Sequence, residues 1–165
     1  MKALVYHGPG KYSLDEVPVP QIIEPTDVIG KVTLAAICTS DIHIVHGDIP
    51  GVPYPKIMGH EFCVEIVEVG PAVKNLKPRD RCVSRAGANC NECAMCKIGL
   101  RGLCSKGGVY GNIGPLEGCH AEFIRIPFAA SPGFLYKIPA GLKEEDVILA
   151  PDMLATAKMT SSSFR

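Results

Sequence analysis

Four of the eight cysteines, Cys90, Cys93, Cys96 and Cys104, fall at x2, x2 and x7 spacings in one short stretch. Disulfide frameworks usually spread their cysteines to close long loops, whereas clustered cysteines at x2 spacing more often hold a metal. Two intervening residues let a tight turn aim both sulfurs at one point, and Gly99 and Gly102 in the longer gap let the chain return. Four thiolates suit a tetrahedral zinc at about 2.3 Å and leave no position for substrate or water. The site so formed would be structural. Two disulfides or four free thiols remain the alternatives.

A second set of ligand types is scattered. Cys38-Thr39-Ser40-Asp41-Ile42-His43 sits where a strand gives way to a short helix, Gly59-His60-Glu61 lies between a proline-rich loop and a strand, and Asp152 follows Pro151. A cysteine, a histidine and a carboxylate on separate segments can hold zinc with a fourth position open, the catalytic arrangement in which zinc acidifies a bound oxygen or polarises a carbonyl. Each residue also has a plain reading. Cys38 after two alanines and an isoleucine suits a buried small hydrophobe, His60 suits a packed or surface histidine, and Asp152 suits a helix cap. Their separation along the chain leaves these readings open.

The elements that must position these residues read as short strands between Gly/Pro turns. Strand signals cover residues 3–6, 13–17, 27–38, 62–69, 81–84 and 121–126, with Gly30 marking a bulge in the third. Ser40 reads as the N-cap of a short helix over residues 41–46 that closes at Gly47. A second helix is predicted over residues 143–149, broken by Pro151, and another begins near Met153. This density of strands predicts a mainly β fold, a barrel or sandwich with few short helices.

The 165 residues suit one domain with a sizeable core. Lys+Arg and Asp+Glu both total 17, so no broad basic field exists for nucleic acid or anionic lipid. No run approaches the roughly 18 apolar residues of a membrane span. The N-terminal apolar run ends at Gly8-Pro9-Gly10, too soon for a signal peptide, which points to the cytoplasm.

Taken in order, the Cys38–His43 segment, Gly59-His60-Glu61, the four-cysteine loop and Pro151-Asp152-Met153 resemble the catalytic domain of zinc-dependent medium-chain alcohol dehydrogenases, most closely the secondary-alcohol type. The likeness runs over residues 1–157, and Lys77-Pro78-Arg79-Asp80-Arg81 resembles the family's turn before a barrel strand. It implies a GroES-like β-barrel with a four-cysteine zinc loop, and a tail or truncation over residues 158–165. It implies that Cys38, His60 and Asp152 bind catalytic zinc, with Glu61 beside it as an exchanging ligand. It implies that Ser40 takes the alcohol proton, His43 relays it to solvent, and Asp41 supports a ligand histidine. Thr156 would lie by the nicotinamide, and Cys90, Cys93, Cys96 and Cys104 would hold structural zinc. The activity implied is oxidation of an alcohol to a ketone or aldehyde, or the reverse, by hydride exchange with NAD or NADP. A homo-oligomer is compatible with it.

This sequence departs from the family pattern in three respects. Val64 and Arg79 stand where the family usually has glycine, and the latter should strain its turn by about 1 kcal/mol. No Gly-x-Gly-x-x-Gly run occurs in these residues, so the Rossmann domain that the family carries is absent from them. The 165 residues alone are therefore expected to show no dehydrogenase turnover, since nothing in them would hold the cofactor's pyrophosphate. A non-catalytic zinc-binding structural or interaction domain of the same ancestry is the alternative. A zinc-free, quinone-reductase-like reading fits poorly with intact Cys38 and the cysteine loop. Cys63, Cys82 and Cys119 match no ligand position and read as buried thiols.

Overall fold

A computed structural model describes residues 1–131 and 133–162, with Ser162 described in its backbone only. In chain order the strands are β1 (Lys2–Gly8), β2 (Lys11–Glu16), β3 (Val28–Ala36), β4 (Lys56–Ile57), β5 (Glu61–Val69), β6 (Arg81–Ser84), β7 (Gly87–Ala88), β8 (Gly108–Val109), β9 (Phe123–Ile126) and β10 (Leu135–Lys137). The helices are α1 (Thr39–His46), α2 (Ala94–Lys97) and α3 (Ala155–Ser162), the last preceded by a π-helical turn over Ala150–Leu154. No helix among the described residues is long and apolar enough to cross a membrane.

The strands form three sheets, ordered β2-β1-β4, β10-β6-β5-β3-β9 and β7-β8. They do not close into one continuous barrel. Residues 118–122, which lead into β9 of the second sheet, run along the first sheet with Ala3↔Ala121 as an isolated bridge, and Val32 N–H of β3 donates to Glu122 O at 3.0 Å. There the backbone is divided between two neighbours: Gly118 and His120 donate to Ile57 and Met58, while Leu4 donates to His120 and Glu122 donates to Lys2. A segment sewn to both sides in this way cannot keep the even register of a ladder.

β5 is the central strand. Phe62, Cys63, Val64 and Ile66 are all essentially inaccessible, because residues of both parities are covered. One face packs Phe62, Val64 and Ile66 with Val28, Ile124 and Ile126; the other packs Cys63 with Val83 and Ile148. This double burial explains why the strand reads as a nearly continuous apolar run rather than an alternation. Phe62 meets Tyr110 edge to face at 5.3 Å, a favoured aromatic geometry.

The two glycine replacements find different accommodations. Val64 fills the space above the bare Cα of Gly30, where an added Cβ would come within 2.7 Å of the valine. The β3–β5 register shifts at Ile29/Gly30, as the bulge reading expected, and again between Val32 and Leu34. Arg79 adopts φ +73°, the left-handed region that costs a residue with a Cβ about 1–2 kcal/mol. The turn is held by Arg79 N–H on Ile66 O at 2.8 Å and Asp80 Oδ2 accepting from Lys77 N–H at 3.0 Å.

Several boundaries differ from the sequence reading. The N-cap of α1 is Cys38, not Ser40, since the Asp41 carboxylate reaches back to the Cys38 N–H at 2.9 Å. Residues 143–149 form successive turns instead of a helix; Asp146 Oδ2 caps Lys143 N–H locally, an alternative to helical bonding that acidic side chains favour. The helix expected from about Met153 is α3, which begins at Ala155 after the π-helical turn and continues through Ser162. The expectation for residues 163–165 lies outside the described residues. The short strands β4, β7, β8 and β10, of two or three residues each, are too short to carry a periodic signal.

Because the Arg79 side chain is exposed and only its backbone is constrained, Arg79→Gly should stabilise the chain by about 0.5–1 kcal/mol. Urea unfolding monitored by circular dichroism checks this. A lowered midpoint would show that the arginine side chain contributes more than its backbone strain costs.

Candidate metal centre

β3 and β5 pair antiparallel up to Ala36↔Glu61. The chain leaves β3 just before Cys38 and enters β5 just after His60, so the pairing brings these two residues to the same end of one ladder. The π-helical turn supplies Asp152 from the opposite side. The ligand atoms of Cys38, His60 and Asp152 all lie within 4.8 Å of one another. Cys38 Sγ is 3.9 Å from Asp152 Oδ2, and His60 Nε2 is 3.3 Å from the same oxygen.

The surroundings fit a cation. His60, Asp41 and Glu61 are 3%, 2% and 3% exposed. His60 Nδ1 faces Asp41 Oδ1 at 3.6 Å, too long for a firm hydrogen bond, and both atoms and Glu61 Oε1 are buried without a partner. Burial, and next the Asp152 charge, push the Glu61 carboxyl above the ordinary carboxylate range, while the Met153 backbone N–H opposes the rise. A thiol and three acidic side chains gathered with one histidine form an anionic pocket that a divalent ion would neutralise. One sulfur, one nitrogen and carboxylate oxygen are zinc-type donors.

The remaining residues of the sequence-derived set lie close by or on the surface. Ser40 Oγ is 3.3 Å from His60 Nε2, at the edge of the three ligands. His43 is exposed and its Nδ1 is 3.1 Å from Asp48 Oδ2. Thr156 lies in the exposed first turn of α3. Asp41 holds the Cys38 N–H with one oxygen and faces His60 with the other, so a single carboxylate addresses both ligand segments.

The cysteine cluster is separate and closed. Cys90, Cys93, Cys96 and Cys104 also bring their sulfurs within 4.8 Å of one another. The pairs Cys90–Cys104 and Cys93–Cys104 are 3.5 and 4.0 Å apart, far beyond a disulfide bond, and all eight cysteines are free. Backbone N–H groups of Cys93 and Cys90 point at the sulfurs of Cys90 and Cys104 at 3.4 and 3.3 Å, donors that favour thiolate. The Cys93 thiol is pulled down to about 6 by backbone N–H groups of Cys96 and Ser105, whereas burial pushes Cys96 up to about 12. Asn89 Nδ2 lies 3.8 Å from Cys96 Sγ, a contact that no spacing pattern signalled. Elsewhere Cys63 and Cys82 are pushed up by burial to about 12 and about 11, and Cys119 is raised as well. All three are fully buried thiols.

Residues 24–140 match the alcohol dehydrogenase GroES-like domain, and the chain belongs to that family. It is 38% identical over 164 residues to zinc-type alcohol dehydrogenase B of Aspergillus flavus, covering 99% of this chain and 37% of that protein. Among solved structures, alcohol dehydrogenase TADH from Thermus sp. ATN1 superposes with a TM-score of 0.85 at 38% identity, over 96% of this chain and 46% of its own. A short chain alcohol dehydrogenase from E. coli CFT073, complexed with NADH, gives a TM-score of 0.75 at 30% identity, over 90% and 41%. The chain thus spans less than half the length of each.

Cys96→Ser should release the metal of the cysteine cluster and loosen residues 87–108, leaving the β3–β5 ladder protected. Zinc content and hydrogen exchange read this out. Unchanged zinc content in this variant, with its three remaining cluster cysteines reactive to thiol reagents, would show that the cluster holds no ion.

Proposed function

We propose that the chain is the catalytic domain of a zinc-dependent alcohol dehydrogenase, which exchanges hydride between an alcohol or carbonyl compound and NAD or NADP. The observation that carries this is the meeting of Cys38, His60 and Asp152, from three distant segments, beside the hydroxyl of Ser40. The NADH held by the relative from E. coli supports the nicotinamide cofactor.

Cys38, His60 and Asp152 would hold the catalytic zinc, with Glu61 the neighbouring carboxylate. When bound there, zinc supplies Lewis acidity toward a substrate oxygen. Asp41 Oδ1 faces the His60 Nδ1 at 3.6 Å while Nε2 points toward Asp152 and Ser40; a small closure of that gap would let the carboxylate fix the ring. Orientation of a ligand imidazole by a carboxylate is a common support for zinc. Ser40 Oγ would accept the proton of a substrate hydroxyl as its own O–H proton leaves toward solvent. We assign its release to solvent to His43, which is exposed and pairs with Asp48. Thr156 is the candidate contact to the nicotinamide. Cys90, Cys93, Cys96 and Cys104 would hold the second, structural zinc.

Cobalt-substituted protein tests the reading without requiring turnover. Adding a secondary alcohol or its ketone should perturb the visible cobalt absorption of the wild type, and Cys38→Ser should abolish the response. Asp41→Asn should weaken metal binding at that site by about 10–100-fold. A substrate response that persists in Cys38→Ser, or a wild type that gives none, would contradict the proposal.

A further inference from the structure

The β3–β5 ladder ends at Ala36↔Glu61, yet Cys38 and His60 lie just beyond that end, where a two-stranded ladder is most prone to fray. Something outside the ladder must fix the separation of the two segments. Besides Asp41, which accepts from the Cys38 N–H and faces His60, a second side chain touches both. His120 Nε2 lies 3.2 Å from the carbonyl oxygen of Ala36, the last residue of β3. The same ring covers Gly59, the neighbour of His60, so closely that an added Cβ there would come within 2.6 Å of His120 Nε2 and 2.7 Å of Cγ.

The backbone around His120 holds the ring in place. His120 N–H donates to Met58 O at 2.8 Å, Cys119 N–H to Gly59 O at 3.0 Å, and Leu4 N–H to His120 O at 2.7 Å. Gly59 has φ +92°, so it serves the ring twice: it takes the left-handed turn and leaves the ring space. Since a carbonyl can only accept, the neutral ring carries its proton on Nε2. Nδ1 is then the acceptor, buried without a partner, and the residue lines a cavity of about 290 Å³ with Asp41, Leu4, Ile37 and Met58.

We propose that His120 is a positioning residue for the proposed catalytic zinc: its Nε2–H bond to Ala36 and its contact with Gly59 clamp the Cys38 and His60 segments at the separation that metal binding requires. The inference rests on the reading of Cys38, His60 and Asp152 as metal ligands. The tyrosines and phenylalanines, which share the ring's bulk, could cover Gly59 but could not donate to Ala36 O from the same position, so the donor is what the histidine adds.

The test compares two zinc sites in one chain. Chelator competition on the zinc-loaded protein should give two affinities, with the cysteine cluster as the internal control. His120→Phe keeps the ring over Gly59 and removes the donor. It should weaken zinc at the Cys38 site by about 10–100-fold, as loss of an outer-shell partner does, and leave the cluster's affinity unchanged. It should also alter the visible absorption of cobalt bound at the Cys38 site. His120→Gln, which retains an N–H donor, should lie between wild type and His120→Phe. If His120→Phe does not fold, His120→Gln with a weakened Cys38 site and an unchanged cluster supports the clamp. Two wild-type affinities in whichever variant folds, or an equal fall at both sites, would overturn it. Cys38→Ser separates the two ideas: if it leaves both zinc equivalents bound, the reading of Cys38 as a ligand fails, whatever His120 does.

Discussion

The antiparallel pairing of β3 with β5 is the constraint on which the rest depends. β5 is covered on both faces, so a one-residue slip would exchange Phe62 and Val64 for Cys63 and Glu65 in the main core. Register is therefore set by packing, and the position of the candidate metal ligands follows from register. Cys38 and His60 meet because one residue follows the exit of β3 and the other precedes the entry of β5. The core and the candidate site are in this sense one structure: the apolar residues that bury β5 also determine the spacing of a thiol and an imidazole.

The two clusters differ in how they are assembled. The four cysteines come from a single loop whose x2 spacings nearly suffice to bring the sulfurs together, and backbone N–H groups complete the arrangement. The Cys38–His60–Asp152 set has no such local logic. It needs a ladder, a π-helical turn and a buried carboxylate, Asp41, that holds the backbone of one ligand segment and faces the imidazole of the other. The first arrangement surrounds its centre with four sulfurs, as structural zinc sites do. The second offers three donors with Ser40 beside them, the donor count on which the proposed catalytic role rests.

Local chemistry was legible in the sequence and long-range packing was not. The cysteine cluster, the bulge at Gly30, the helix stop at Gly47 and the six longer strands all follow from spacing or pattern within a few residues. The resemblance supplied Cys38, His60 and Asp152, whose approach no spacing could reveal. Arg79 in a glycine turn correctly signalled a left-handed backbone. Val64 could be understood only with Gly30 in view, since one residue's bulk occupies the other's missing side chain. The N-cap of α1 was misplaced because Asp41 satisfies the Cys38 N–H, while Ser40, which the pattern favoured as cap, turns instead toward His60. The division of the 118–122 backbone between β1 and β4 was equally illegible, because backbone shared between two neighbours leaves no pattern in side-chain type. His120 gave no signal at all; its partners are Ala36 and Gly59, neither of which carries a functional side chain.

A crystal grown with zinc and measured on both sides of the zinc absorption edge tests the central claim most directly. The account predicts two anomalous peaks: one enclosed by Cys90, Cys93, Cys96 and Cys104, and a second bounded by Cys38 Sγ, His60 Nε2 and the Asp152 carboxylate, with Ser40 at its open side. A single peak in the cysteine cluster, with His60 bonded directly to Asp152 and no density between them and Cys38, would contradict it.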